Sequence, residues 1–154
     1  MRRKRQQGLT LIELIVAFTI LSLLTTMALP LARYKVRVQK ERDLEYALRT
    51  IRTAIDKFKD DMDAGKIGPA KLDSDNYPES LQQLVDGIKA AGAVDKKVKY
   101  LRRIPKDPMT NSTEWGLRSD RDDPTSQSFG GQNVFDVYTK STDKARDGTP
   151  YSQW

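Results

Sequence analysis

The sequence predicts an α+β protein in which one long N-terminal helix, its first half able to cross a membrane, precedes a small C-terminal domain. Three observations support this class. Residues 9–32 are mostly apolar. Apolar side chains then recur every three or four residues as far as residue 62, as on one face of a helix. Short strand-like segments follow only after residue 110, and this separation of helical and strand-forming sequence is typical of α+β proteins.

Composition excludes several kinds of function. The chain has 154 residues, no Cys and no His, so disulfides, zinc sites of the Cys/His type and His-based catalysis are excluded. Formal net charge is +6, but four basic residues lie together at positions 2–5, and the others are mixed with acidic residues along the chain. We therefore expect no binding of nucleic acid, and the sequence contains no arrangement that suggests an enzyme.

The apolar segment 9–32 would form a helix of about 36 Å, enough to span a hydrocarbon core of about 30 Å. The basic residues 2–5 predict that the N-terminus stays cytoplasmic. An ordinary secretory signal peptide is disfavoured because the segment exceeds the usual apolar length and lacks a small-x-small cleavage site. A plain signal anchor stays as an alternative, but it explains neither Gly8 nor Glu13.

Two residues in the apolar segment need an explanation. Glu13 is its single carboxylate, and an intramembrane charge costs about 2.5–3.5 kcal/mol on insertion scales, so we expect a partner that compensates it. Pro30 deletes a helical hydrogen bond. It either marks the end of the membrane span or kinks the helix within it.

Residues 33–64 are predicted to continue the helix as an amphipathic segment that ends at Gly65. We expect its apolar stripe to pack in the core; the stripe consists of Leu44, Leu48, Ile51, Ile55, Phe58 and Met62. Residues 65–154 form the C-terminal domain. There we expect a short second helix from residue 81 to near Gly92, strands at 115–117 and 134–138 with a loop between them, and a polar tail.

The sequence Gly-Leu-Thr-Leu-Ile-Glu-Leu at residues 8–14 resembles the class III signal of type IV pilins and type II secretion pseudopilins. The resemblance implies that a prepilin peptidase cuts between Gly8 and Leu9 and methylates the new amine of Leu9. It also implies that Glu13 pairs with the amine of a neighbouring subunit during assembly. Pro30 lies where these families commonly have a proline.

The C-terminal half is similar to the major pseudopilins of type II secretion systems, the protein G family. The similar stretches are Tyr-Leu-Arg-Arg-Ile-Pro-Lys-Asp-Pro at 100–108, Phe-Asp-Val-Tyr at 135–138 and Ser-Thr-Asp at 141–143. This implies a pilin-like fold with a three-stranded antiparallel sheet. It also implies a single-pass protein of the bacterial inner membrane, with residues 1–8 removed as a leader and the C-terminal domain in the periplasm.

The same resemblance implies function and partners. The chain would polymerise with copies of itself into a periplasmic filament that helps drive protein export. Residues 34–42 are expected to face other subunits because they precede the compact domain. Minor pseudopilins and inner-membrane secretion components would be its other partners. A type IV pilin is the alternative, although pilins often have a C-terminal disulfide loop that a Cys-free chain cannot form. A signal-anchored periplasmic binding protein is the second alternative.

The major pseudopilins bind calcium in the loop after the last strand. By this resemblance Asp143 and Asp147 are the candidate ligands, since calcium prefers carboxylate and carbonyl oxygens. The alternative is that both are solvated aspartates in a turn.

Overall fold

The computed structural model describes residues 10–69, 71–92 and 96–154, with side chains except at 27–29. It confirms the predicted fold class, a pilin-like α+β fold with a long apolar N-terminal helix and a small domain of one short helix and antiparallel strands. The elements, in chain order, are α1 (Leu11–Asp63), α2 (Leu81–Asp86), β1 (Ile88–Lys89), β2 (Lys97–Val98), β3 (Gly116–Arg118), β4 (Asp136–Tyr138) and a 3-10 helix (Tyr151–Gln153).

The chain divides into two compact units, Met1–Gln39 and Lys40–Trp154, and the boundary falls inside α1. The described part of the first unit consists of Thr10 and the part of α1 from residue 11 to residue 39. The second unit contains the remainder of α1, together with α2, all the strands and the 3-10 helix.

The predicted apolar stripe lies in the core of the second unit. Five of its six side chains are buried, and the sixth, Met62, is partly buried against them. The helix ends at Asp63 because Gly65 adopts a φ of +65°, which lets the amides of Gly65 and Lys66 turn back onto the carbonyls of Met62 and Asp61. The predicted end of the helix at Gly65 is thus confirmed to within two residues.

The second helix is shorter than predicted. It begins at a cap from Ser80, whose side chain accepts a hydrogen bond from the Gln83 amide, and it ends at Asp86 instead of near Gly92. Gly87 stops it with a φ of +79°, and a Cβ there would lie 2.5 Å from the carbonyl oxygen of Val98. The expectation was wrong because Gly87, not Gly92, is the glycine at the helix end.

Within the described residues the strands form two separate two-stranded antiparallel sheets, β1 with β2 and β3 with β4, so the expectation of one three-stranded sheet was wrong. The strands near 115–117 and 134–138 were correctly expected and pair with each other. The segment that precedes them does not join their sheet. Its amides at Tyr100 and Leu101 both donate to the Leu84 carbonyl at the end of α2, and Pro105 has no amide to donate.

The loop between β3 and β4 is ordered by its own polar side chains. The Asp122 carboxylate accepts hydrogen bonds from the amides of Ser119 and Gly130. Asn133 is fully buried and donates to the Ser74 carbonyl, while its side-chain oxygen accepts from the Asp120 amide. These contacts place the end of the loop directly at the start of β4.

Candidate functional site: the start of the long helix

The first turn of α1 contains the predicted assembly residue Glu13. The Thr10 hydroxyl accepts a hydrogen bond from the Glu13 amide at 3.3 Å, and the Thr10 carbonyl accepts from the Leu14 amide at 3.2 Å. Thr10 therefore caps the helix, which satisfies one of the amides left free at a helix start. The Glu13 carboxylate lies where the helix dipole favours a negative charge.

Gly8 and Leu9, the predicted processing residues, lie outside the described residues. Thr10 and Glu13 have the spacing of a capping box, in which a threonine precedes a glutamate by three residues. This local pattern is a signal that sequence reasoning missed. It identifies Thr10 as the cap and places the helix start within two residues of the predicted cleavage site.

Every described side chain from residue 10 to residue 26 is exposed. The exposed fraction of the large apolar ones runs from 49% for Val16 to 79% for Leu11. Among the described residues, α1 is also the one helix whose length and composition would allow it to cross a membrane. A contiguous apolar surface of this size normally lies against lipid or against another protein.

The threonines of this segment do not leave polar groups unsatisfied. Their hydroxyls donate to helix carbonyls three or four residues earlier: Thr19 to Val16, Thr25 to Leu21 and Thr26 to Ser22, at 2.8–2.9 Å. Such bonds shield a hydroxyl in an apolar medium. Glu13 is the single titratable side chain from residue 10 to residue 32, and its charge still requires a partner in an apolar medium.

Pro30 lies inside α1, and the helix continues through it. Because proline has no amide hydrogen, Pro30 cannot donate to the carbonyl of Thr26, four residues earlier. The helix nevertheless continues past this missing hydrogen bond and does not end at Pro30.

The predicted calcium ligands lie in a tight turn near the end of the chain. Asp147 accepts a hydrogen bond from the Thr149 amide at 2.9 Å, and this bond lowers the pKa of the Asp147 carboxyl. The main-chain carbonyl of Asp143 accepts from the Tyr151 amide. The part of the chain that the structure describes contains no group of three or more Asp, Glu, His or Cys residues placed to hold a metal. Calcium binding at this turn stays a prediction.

Residues 3–29 match the family described as the prokaryotic N-terminal methylation motif. No curated protein and no solved structure matches the chain. The matched range includes Gly8, Leu9 and Glu13. Together with the long apolar helix and the small α+β domain, the motif supports a type IV pilin-like or pseudopilin subunit, and proteins of that family are structural.

The motif also implies that the chain is a substrate of a prepilin peptidase and assembles into a pilus-like multimer. The apolar start of α1 fits the membrane anchor of such a protein.

Proposed function

We propose that this chain is the major structural subunit of a type II secretion pseudopilus. It is cut after Gly8, methylated on the amine of Leu9 and polymerised into a periplasmic filament that helps drive protein export. The observation that supports this most directly is Glu13 in the first turn of an apolar helix whose described side chains as far as residue 26 are all exposed.

Cleavage after Gly8 would leave a positive amine four residues before Glu13. Two such charges are costly in lipid, and pairing the carboxylate of one copy with the amine of the next neutralises both. A paired intramembrane charge contributes more to register than to net stability. Glu13 therefore sets the axial position of each incoming subunit, while the exposed apolar side chains supply the packing.

Substitution of Glu13 tests this role. Glu13→Gln keeps the shape of the side chain and removes its charge, so we expect normal insertion and cleavage but little filament. Leu14→Ile is the matched control, since it changes neither charge nor size and should assemble normally. Cleavage and methylation are read from the intact mass of the purified chain, and filaments are counted by electron microscopy of overexpressing cells.

Contacts between subunits can be measured directly, since the chain has no Cys. A cysteine introduced at the exposed position Val16 would crosslink neighbouring copies without background. We expect crosslinked oligomers in the parent chain and none in the Glu13→Gln variant. If both chains crosslink equally, the role assigned to Glu13 is wrong.

The type II assignment rests on the similar stretches at 100–108 and 135–143. A strain that lacks this chain should stop exporting its type II substrates and recover when the chain is restored. If export continues and surface pili or twitching are lost, the chain is a type IV pilin. A signal-anchored binding protein would instead remain monomeric in the crosslinking experiment.

We also propose that Asp143 and Asp147 bind a structural calcium ion, with carbonyl oxygens of the same turn completing the ligand set. Millimolar calcium should raise the melting temperature of the full chain in detergent, and Asp143→Ala should abolish the rise. Magnesium at the same concentration is the control, because it prefers a smaller octahedral site. An unchanged melting temperature would leave the two aspartates as turn residues.

A further inference from the structure

Three basic side chains directly follow the apolar segment of α1. Arg33, Lys35 and Arg37 are all exposed on the helix. The sequence has no acidic residue between Glu13 and Glu41, so this region has a local net positive charge. We call Arg33, Lys35 and Arg37 the basic collar.

The collar surrounds the helix. Successive residues of an α-helix are rotated by about 100°, so Arg33 and Arg37 lie within about 40° of each other and Lys35 points to the opposite side. A contact with one neighbouring protein would favour charges on a single side. A lipid surface meets the helix all around, and charges on opposite sides suit it.

Tyr34 lies within the collar, and 46% of its surface is exposed. Tyrosine is enriched at the boundary between lipid and water, where its ring lies among the headgroups. Arg and Lys near the end of a span extend their charged ends to the same level. The composition of residues 33–37 is thus that of a helix leaving a membrane.

We propose that the basic collar binds anionic phospholipid headgroups on the side of the membrane where the helix emerges, opposite the leader. This rests on the proposed insertion of residues 9–32 and goes beyond it by naming a lipid class. Basic residues near an anionic surface attract anionic headgroups, and the attraction weakens as salt screens it. The collar therefore enriches anionic lipid around the inserted subunit before it joins a filament.

The test uses the full chain reconstituted at low density in phosphatidylcholine vesicles that contain trace spin-labelled lipid. Electron paramagnetic resonance gives the fraction of each labelled lipid held at the protein surface. The measured quantity is the preference for spin-labelled phosphatidylglycerol over spin-labelled phosphatidylcholine. The collar variant combines Arg33→Gln, Lys35→Gln and Arg37→Gln.

The matched control combines Lys96→Gln, Lys97→Gln and Lys99→Gln. These lysines are exposed on the small domain, so the control removes the same number of charges away from the span in sequence. The leader residues 2–5 are present in all three chains, so their contribution cancels in the comparison.

We expect the parent and the control to prefer phosphatidylglycerol several-fold at low salt, and the collar variant to prefer it at least about threefold less. In 1 M salt the parent should lose most of its preference. A collar variant that keeps the parental preference overturns the proposal, and so does an equal loss in the control, which would make the effect one of net charge.

The alternative occupant, a second copy of this chain, gives a different result. A collar variant with unchanged lipid preference but weaker crosslinking at Val16→Cys would place the collar at a subunit contact and overturn the lipid proposal. The lipid measurement does not require assembly. If the lipid proposal fails in this test, the filament proposal is therefore unaffected. If alkaline carbonate extracts the parent chain from the vesicles, the membrane anchor itself is wrong and both proposals fail.

Discussion

The carboxylate of Asp136 in β4 joins two arginines of the second unit, and its removal gives a sharp test of how that unit is held together. Asp136 accepts from the Arg52 Nε at 2.7 Å and from Arg118 at 3.4 Å. Arg118 is nearly buried and also donates to the carbonyls of Ser126 and Ser152. Asp136→Asn keeps the shape of the side chain and removes the charge that these two guanidinium groups share.

The expected cost follows from burial. The side chain of Arg52 is 36% exposed, so its pair with Asp136 is screened by water and is worth at most about 1 kcal/mol. The side chain of Arg118 is 6% exposed and would keep only neutral acceptors, which costs about 1–2 kcal/mol more. We therefore expect Asp136→Asn to lower the free energy of unfolding by about 2 kcal/mol, or the melting temperature by about 8 °C for a unit of this size.

The assay is urea unfolding of the full chain in detergent, followed by the fluorescence of the two tryptophans: Trp115 is buried in the core and Trp154 packs against it. Glu79→Gln is the matched control, because it removes the charge from an exposed ion pair with Lys71 and should cost less than about 0.5 kcal/mol. If Asp136→Asn costs no more than Glu79→Gln, the reasoning is refuted and the two arginines are held by carbonyl oxygens alone.

Three further changes test other parts of the same unit by the same unfolding assay. Ile51→Ala empties a fully buried position and should cost about 2–5 kcal/mol. Gly87→Ala should destabilise the chain, because Gly87 has a positive φ and its Cβ would collide with β2. Gly65→Ala is the control, since Gly65 also has a positive φ but a Cβ there meets nothing. If Gly65→Ala is as costly as Gly87→Ala, the steric part of this reasoning is wrong. Hydrogen bonds from Lys66 and Tyr100 lower the pKa of the Asp61 carboxyl. The stability that these two hydrogen bonds contribute is present above the ordinary aspartate pKa of about 3.9 and is lost as the pH falls through the lowered pKa of Asp61. Asp61→Asn cannot be protonated in this way, so it should lose less stability on acidification than the parent.

The long helix and its buried stripe could be predicted from the sequence because both repeat with the period of a helix over many residues. Two short strands, β1 and β2, could not be predicted. Each has two residues, too few for an alternating pattern to stand out. The role of Gly87 was also missed. A side chain at this position would collide with the Val98 carbonyl, which is distant in sequence.

The candidate site was predicted in part. Glu13 was identified because a lone carboxylate in an apolar segment is costly wherever the segment is placed. Its cap, Thr10, was not identified, although the spacing to Glu13 is local and was available. The polar contacts that fix the C-terminal region join residues 52, 118, 136 and 152, and no sequence period relates positions so far apart.

The apolar start of α1 can be covered by lipid or by copies of the chain, and the hydrophobic effect does not distinguish the two because both are apolar. The choice then depends on the charged groups at the two ends of the segment. By the proposals above, Glu13 gains the amine of a neighbouring copy as its partner in the filament, while the basic collar binds headgroups in the membrane. The two should act in opposite directions: Glu13→Gln should lower filament yield in cells, and the collar variant should maintain or raise it by easing extraction from lipid. A collar variant that yields less filament than the parent would mean that the collar, like Glu13, contributes to contacts between subunits.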